Sequence, residues 1–566
     1  MPSNLSDRFK QFAKENTVNI ERALIALIFL LALLIRLWGI KFGLPYSYHY
    51  DETTYTGAAL NLGTGKLGVQ INPTGYTNIL FLEYASFFII GKITGLFSTV
   101  SSFGQLYRTD PSMFLLLGRL TSAILGAMNL LVVYQVGKFL RNQVVGILAS
   151  LLLAVAFLHV RDSHFAVPDI TATFFVSLTC LFCLLSLRDD RLRYVILAAL
   201  MSGFAIATKW TVWPIAITLI LAILLKIQKN EKSLLSSRST WKLIFISGAC
   251  FLVGYLLGGV QTIIWPKLYI DYALTELSAG ETGGFFIWQV DTLPGWLFYL
   301  KTMSYGLGIT VTLLFVIGLF AKVYEVIKKK DYAGIVFLSF PIIYFVIMGA
   351  TRHYFARYVL LLVPFAVYIA AEFIYTLKEY LERKNLKFVW ALVAGLVALG
   401  LLQQFVYDIR LDYLLTKIDT RTTAHEWIEE NIPEGSIIAM DWLIHGPPLS
   451  TPEKLVPNSE KIYDVTTFDD DSGLSKNAIQ WYQESNFNYL IASSFIYQIP
   501  LVDKTENDER VEFYKSLNTE FALIKEFKPY QGNSEPSFIF DEIYGPAISL
   551  WQRERPGPTI KIFKVN

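Results

Sequence analysis

Residues 20–55 read IERALIALIFLLALLIRLWGI followed by KFGLPYSYHYDETTY. The first 21 residues, Ile20 to Ile40, are almost unbroken Leu, Ile, Ala and Phe. A helix needs about 20 apolar residues to cross a hydrocarbon core of roughly 30 Å, so this run is long enough to span. It is too long for the apolar part of a secretory leader, and no small-residue cleavage site follows it, so it reads as a retained membrane helix. Polarity changes abruptly after it. Asp51 and Glu52 arrive about ten residues past Ile40, among Tyr46, Tyr48, Tyr50 and Tyr55. A carboxylate pair so close to the end of a span belongs near a membrane surface.

The same pattern recurs down the chain. Further apolar runs cover 79–98, 112–138, 143–160, 169–187, 192–208, 211–227, 242–264, 296–320, 333–350, 357–377 and 388–406. Short cytoplasmic loops carry an excess of Lys and Arg, which assigns sides. Basic clusters stand at Lys138/Arg141, Arg188/Arg191/Arg193, Lys226 to Lys242, Lys322 to Lys330 and Lys378 to Lys387. The loop 265–295 instead has Lys267 against Asp271, Glu276, Glu281 and Asp291. The N-terminal segment 1–19, with Arg8, Lys10 and Lys14, belongs inside with the clusters. That parity holds only if 79–98 does not cross. The expectation is therefore eleven spanning helices in 20–406. The segment 79–98 becomes a re-entrant or juxtamembrane part of one large outer loop, 41–111.

Composition agrees. Of 566 residues, 53% are hydrophobic and only 17% charged, with a mean hydropathy of +0.43. A soluble domain is nearer a quarter charged. The net charge of +2 says nothing about nucleic acid, and no basic stripe suggests such a partner, so none is expected. Cys180, Cys183 and Cys250 all lie in apolar runs, so neither a disulfide framework nor a zinc pattern is present. From Tyr407 the character shifts. AHEWIEENI and NAIQWYQES have helical periodicity, whereas SIIAMDW, NYLIASS, FALIKEF and TIKIFKV alternate as strands. Residues 407–566 thus read as an extracytoplasmic α/β domain. The fold class is a polytopic α-helical membrane protein carrying that domain, multi-pass in the cell membrane, with its N-terminus cytoplasmic.

Three groups of residues carry chemistry. Asp51 reads either as the N-cap of the helix ETTYTGAALNL, with Glu52 in its first turn, or as a base that takes a proton from an acceptor hydroxyl. The stretch His159-Val160-Arg161-Asp162-Ser163-His164-Phe165-Ala166-Val167-Pro168-Asp169 puts five ionisable groups in eleven residues at a membrane boundary. Such groups pair or bind something. Arg161 with Asp162 makes an interfacial salt bridge on the plain reading, and Asp169 caps the helix after Pro168. On the functional reading, Asp169 orients a phosphate-binding group or ligates a divalent cation. The third group is cationic: Arg119, Lys209, Arg352, His353 and Arg357 at the outer ends of helices. Each alone is explained by snorkelling. Together, on the side that positive charge avoids, they suit a lipid phosphate. Arg119 lies deepest and pairs with an acidic outer-loop residue on the alternative reading.

An Asp-Glu pair just after the first span resembles the lipid-dependent glycosyltransferases of the GT-C superfamily. It is most similar to their protein O-mannosyltransferase and aminoarabinose transferase branch, glycosyltransferase family 39. NPTGYTNILFLEYASFFIIGKITGLF at 72–97 resembles that branch's HPPL-type segment, and GRLTSAILGAMNLLVVYQVGK at 118–138 its Arg-Leu-Pro helix. RDSHFAVPDITATFF at 161–175 and RYVLLLVPF at 357–365 resemble its second outer loop and a late helix. The resemblance implies a GT-C membrane domain that moves a sugar, mannose or another hexose, from a polyprenyl-phosphate carrier to a hydroxyl on a protein, lipid or glycan. It implies inversion by single displacement. Asp51 and Glu52 are then the catalytic pair, supported by Asp162 or Asp169 with His49 and His164. Arg161, Lys209, Arg352, His353, Arg357 and Arg119 are the candidates for the donor phosphate. Phosphate is already a good leaving group, so no cofactor is required, with a divalent cation as the alternative. Asn72 stands where the family has a His or Lys before its prolines; Lys66 and His49 are the candidate substitutes. The rival readings are a flippase or transporter of lipid-linked sugars, which calls for ionisable groups at mid-membrane depth and internal repeats, and a non-catalytic homologue.

Overall fold

The computed structural model describes residues 5–64, 73–189, 191–230, 238–282, 294–352, 355–468, 470, 472–503, 509–532, 534–536 and 549–565. Eighteen helices come first: α1 (Leu5–Leu37), α2 (Tyr50–Leu62), α3 (Gly75–Ile93), α4 (Val100–Thr109), α5 (Ser112–Leu140) and α6 (Gln143–Ala154). α7 (Phe157–Asp162), α8 (Pro168–Arg188), α9 (Leu192–Thr208), α10 (Ile215–Asn230), α11 (Arg238–Gly259) and α12 (Gln261–Ile264) follow. Then come α13 (Pro266–Thr282), α14 (Gly295–Gly306), α15 (Ile309–Lys329), α16 (Tyr332–Ala350), α17 (Val363–Arg383) and α18 (Val389–Leu415).

Among the described residues, eight helical stretches are long and apolar enough to cross a membrane. They are Ser112–Leu140, Pro168–Arg188, Trp210–Lys229, Arg238–Gly259, Ile309–Lys329, Tyr332–Ala350, Ala356–Arg383 and Val389–Asn431. α6 and α9 are shorter apolar helices, and α1 turns Leu24, Leu27, Leu30, Leu31 and Leu34 outward. An apolar stripe that faces out is what a lipid solvent permits. The chain is a multi-pass membrane protein.

Two expected spans are broken. The run 143–160 ends as α6 at Ala154 and restarts as α7, because the backbone turns extended at Ala156. The run 296–320 splits into α14 and α15 at Gly308, whose φ of +80° only glycine takes without strain. The run 357–377 opens as a tighter 3₁₀ stretch, Ala356–Leu362, before Pro364 sets the first turn of α17. The segment expected at 79–98 is α3, which is not one of the eight. Gly75 at its start lies so close to the end of α9 that a Cβ there would come within 2.9 Å of the Thr208 Cα. The first loop is thereby pressed against the bundle beside Lys209.

After α18, which runs past position 407 to Leu415, the chain forms α19 (Thr420–Asn431), β1 (Ile437–Met440), β2 (Asp464–Thr467), α20 (Ile479–Glu484) and β3 (Tyr489–Ser493). It ends with α21 (Ser494–Tyr497), α22 (Ile499–Asp503), α23 (Glu509–Glu520), β4 (Ala522–Phe527) and β5 (Ile560–Lys564). The strand order is β2-β1-β3-β5-β4. β2, β1 and β3 run parallel, and β5 is antiparallel to both β3 and β4. Alternation along β1 works as a strand should. Ile438 and Met440 pack with Ala424 and Ile428 of α19, while Ala439 packs with Tyr482, Phe513 and Leu517 of α20 and α23. The four strands read from sequence are all present. β2 is the addition: its Asp464-Val465-Thr466-Thr467 has one large apolar residue and no period to detect.

Candidate active site

The domain sits on the loop that follows α1. Phe42, Tyr46 and Tyr48 share one apolar cluster with Phe157, Phe165, Leu411, Leu414 and Leu550. The Tyr46 hydroxyl donates to the Pro457 carbonyl at 2.9 Å, and Tyr48 and Thr422 hydroxyls meet at 2.7 Å. The Arg421 guanidinium stacks 3.8 Å over the Tyr48 ring. This packing delivers the chain into α2.

α2 does not begin as expected. Its N-cap is His49, not Asp51: the His49 Nδ1 accepts the Asp51 amide at 3.2 Å. Accepting requires a neutral ring. Burial, helped by Arg357 and opposed by Asp51, Glu52 and Asp169, pulls His49 down to about 4, so the ring is neutral near pH 7. Asp51 and Glu52 occupy the first turn, where the helix dipole favours carboxylates. Successive helical residues point about 100° apart, and these two go to different places.

Glu52 turns inward and is fully buried. Arg119 of α5 grips it two-pronged, Nε to Oε1 and Nη2 to Oε2, both at 2.8 Å. The Ala166 amide donates to Oε1 at 2.8 Å, and the Ser47 hydroxyl reaches Oε2 at 3.3 Å. Burial alone pushes this carboxyl up, yet the Arg119 charge and hydrogen bonds hold it below the usual range. Arg119 also donates from Nη1 to the Ile40 and Phe42 carbonyls, at 2.9 and 2.6 Å. Its donors are committed, which removes it from the phosphate-binding candidates and leaves the acidic-partner reading. Glu52 is likewise saturated; it holds α2, α5 and the 161–169 loop together.

Asp51 turns the other way and keeps 27% of its side-chain surface open. Its Oδ2 accepts from Arg357 Nη1 at 2.8 Å, and the Arg357 guanidinium lies 4.4 Å over the Phe355 ring. Asp169, in the first turn of α8 behind Pro168, is paired with Lys209, the C-cap residue of α9. It is therefore not the cap of α8; Val167 holds that position. The Lys209 ammonium also lies 4.9 Å over the Tyr358 ring. Arg357 is within electrostatic reach of both Asp51 and Asp169. Tyr55, one turn along α2 from Asp51, feels Asp51, Asp169 and Arg357. Burial chiefly, then the two carboxylates, keeps its phenol protonated. Two carboxylates, two cations, a neutral imidazole and a phenol thus converge, with Asp51 and Arg357 partly open to the surface.

The remaining candidates lie elsewhere. Arg161 and Asp162 form the expected pair at 3.0 Å, almost buried. His164 has Val160 and Trp38 carbonyls 2.9 Å from its two ring nitrogens and Asp412 Oδ1 at 3.3 Å, in a buried group with Arg36 and Asp408. Arg352 is exposed just past α16. His353, Asn72 and Lys66 lie outside the described residues. Phe355 and Tyr358 are not distinguished in the sequence among 31 Tyr and 41 Phe, and Tyr55 is named there only as a neighbour of Asp51; only their spacing from charged neighbours marks them.

Residues 115–255 match the family described as Dolichyl-phosphate-mannose-protein mannosyltransferase. The chain is similar to the oligosaccharyltransferase of Archaeoglobus fulgidus in its apo form, with a TM-score of 0.57, 12% identity, and 96% of this chain and 88% of that one covered. It is similar to the same archaeal enzyme, AglB, in complex with an inhibitory peptide and a dolichol-phosphate, at a TM-score of 0.52, 11% identity and the same coverage. ArnT from Cupriavidus metallidurans in the apo state matches with a TM-score of 0.48, 12% identity, and 91% and 96% covered. No curated protein matches significantly. The fold is that of the GT-C glycosyltransferases.

Proposed function

We propose that this chain is a GT-C glycosyltransferase that moves a sugar from a polyprenyl-phosphate carrier to an acceptor hydroxyl on the extracytoplasmic side. The observation that carries the reading is the convergence of Asp51–Arg357 and Asp169–Lys209, with Arg357 within electrostatic reach of both carboxylates. The archaeal neighbour's dolichol-phosphate and peptide fit the same classes of donor and acceptor.

Asp51 is the base. It takes the proton as the acceptor oxygen attacks the anomeric carbon; the new C–O bond forms on the face opposite the phosphate, inverting the centre. The bond from that carbon to the phosphate oxygen breaks, and its electron pair stays on the phosphate. Lys209 and Arg357 match that charge, Arg357 also holding the Asp51 carboxylate in place. Tyr55 keeps its proton beside the two carboxylates. Among the described residues no three His, Cys, Asp or Glu side chains gather to hold a metal ion. Asp51 and Asp169 already face basic partners, so a divalent cation fits this donor set poorly and no step passes through one.

The ends of the helices support the sidedness. On α5, Arg119 holds the site end, while Lys138 pairs with Glu21 of α1 at the other. Nineteen residues at 1.5 Å each put them about 28 Å apart, a bilayer core. Arg141 pairs with Glu379 at that same basic end. Positive charge marks the cytoplasmic face, so the site and the sheet domain face outward.

Proteoliposomes given a panel of labelled polyprenyl-phosphate sugars and crude envelope acceptors test the reading. One label should move to an acceptor with wild-type protein and stay on its carrier with Asp51→Asn. Movement of intact lipid-linked sugar across the bilayer, with no label transferred, would install the flippase instead.

A further inference from the structure

The sheet domain is more than a cap. From β1 the chain goes to β2 on one side and to β3 on the other. In open parallel sheets, such a reversal leaves a crevice at the carboxyl ends of the two strands, where ligands bind. Here Asp441, the residue after β1, ties the carboxyl ends of β1 and β3 together. Its Oδ2 accepts the Ser493 amide at 2.7 Å, and its Oδ1 accepts the Leu474 amide at 2.8 Å and the Tyr514 hydroxyl at 2.6 Å. The next residue, Trp442, is fixed against the buried His445 ring, with centroids 5.3 Å apart. On its other side Trp442 meets Tyr50 edge-to-face, centroids 5.4 Å apart and planes at 63°. Tyr50 is the residue before Asp51 and is 47% exposed. The carboxyl end of β1 therefore meets α2 one residue before the candidate base.

We propose that Trp442 and Tyr50 form the acceptor platform, and that the acceptor it takes is a carbohydrate chain. The inference rests on the transferase reading. The electron-rich faces of aromatic rings attract the weakly positive C–H faces of a pyranose, and two rings at an angle grip a ring edge and face together. No carboxylate or cation of the platform itself is offered to the ligand: Asp441 is buried under three donors, and the neighbouring Arg421 is bound to Asp419. A neutral hydroxyl-rich ring is the ligand that such a surface admits, held one helix position from Asp51. Trp442 is in this account a positioning residue for the acceptor.

Saturation-transfer NMR on the full-length protein in nanodiscs provides the test, with mannotriose, cellotriose and chitotriose as probes and Ser/Thr-containing peptides as a separate arm. At least one trisaccharide should bind wild-type protein. Trp442→Ala should weaken it about tenfold, with Trp442→Phe recovering most of the loss. Tyr50→Ala leaves the sheet domain untouched and should weaken the same probe about fivefold, which keeps the test alive if the Trp442 variant unfolds. Binding of peptides alone, of no saccharide, or of a saccharide indifferent to both variants would overturn the proposal. Label transfer by wild-type protein alongside any of those results would leave the transferase reading standing and remove only the platform.

Discussion

Asp51 and Glu52 are consecutive carboxylates on one helix turn, and their surroundings differ in every respect that matters. Glu52 is sealed, gripped on both oxygens by Arg119 and bonded to the Ala166 amide. Asp51 has one partner on one oxygen and more than a quarter of its surface open. A buried carboxylate with a matched guanidinium is expensive to disturb and unavailable for proton transfer. A half-open one is cheap to reach and free to cycle. The pair therefore divides the labour: Glu52 fixes where α2 sits, and that placement fixes where Asp51 points.

Breaking the inner pair should have the largest effect. Arg119→Met leaves Glu52 buried without its cation, and removing one partner of a buried pair costs about 3–5 kcal/mol. Thermal unfolding in detergent should show that loss, with transfer falling only as the folded fraction falls.

Asp441 sharpens the comparison, because it is a buried carboxylate with no cation at all. Burial, only partly offset by Tyr514 and the Ser493 and Leu474 amides, pushes it up to about 6. Its folded value thus lies above the unfolded one, so its contribution to stability is fully present below about pH 4 and is lost as pH rises through 6. Two units correspond to about 3 kcal/mol across that window. Hydrogen exchange at the β1 and β3 amides should accelerate between pH 4 and 7 beyond its intrinsic base dependence, and Asp441→Asn should flatten the excess.

The Asp51–Arg357 and Asp169–Lys209 pairs predict kinetic losses beyond any structural ones. Lys209→Met removes a cation from the developing phosphate charge and should lower turnover about 10- to 100-fold; because it also leaves the buried Asp169 without its cation, the melting temperature should fall as well, and transfer should fall further than the folded fraction does. The smallest effect is expected from chelation: EDTA should change transfer by less than about twofold, because Lys209 and Arg357 already answer the phosphate charge.

The bundle was legible because lipid demands long apolar runs. What escaped were features set by contacts rather than composition. The break at Gly308 looks like any glycine in an apolar run. β2 carries no alternation because it is an edge. His49 as the cap of α2 was hidden by Asp51, the residue type that usually caps. Arg119 was read as deep with an acidic-partner alternative, and Glu52 is that partner; the sequence alone had no means to choose it. Trp442 lies almost 400 positions from Asp51, and only the docking of the sheet domain brings it near.

The division between neighbouring carboxylates is tested most directly by measuring Asp51→Asn and Glu52→Gln side by side, each for single-turnover transfer and for melting temperature. The account predicts that Asp51→Asn melts like wild type yet transfers 10²- to 10⁴-fold more slowly, about the worth of a general base, while Glu52→Gln melts lower. Wild-type turnover in a folded Asp51→Asn protein would contradict it.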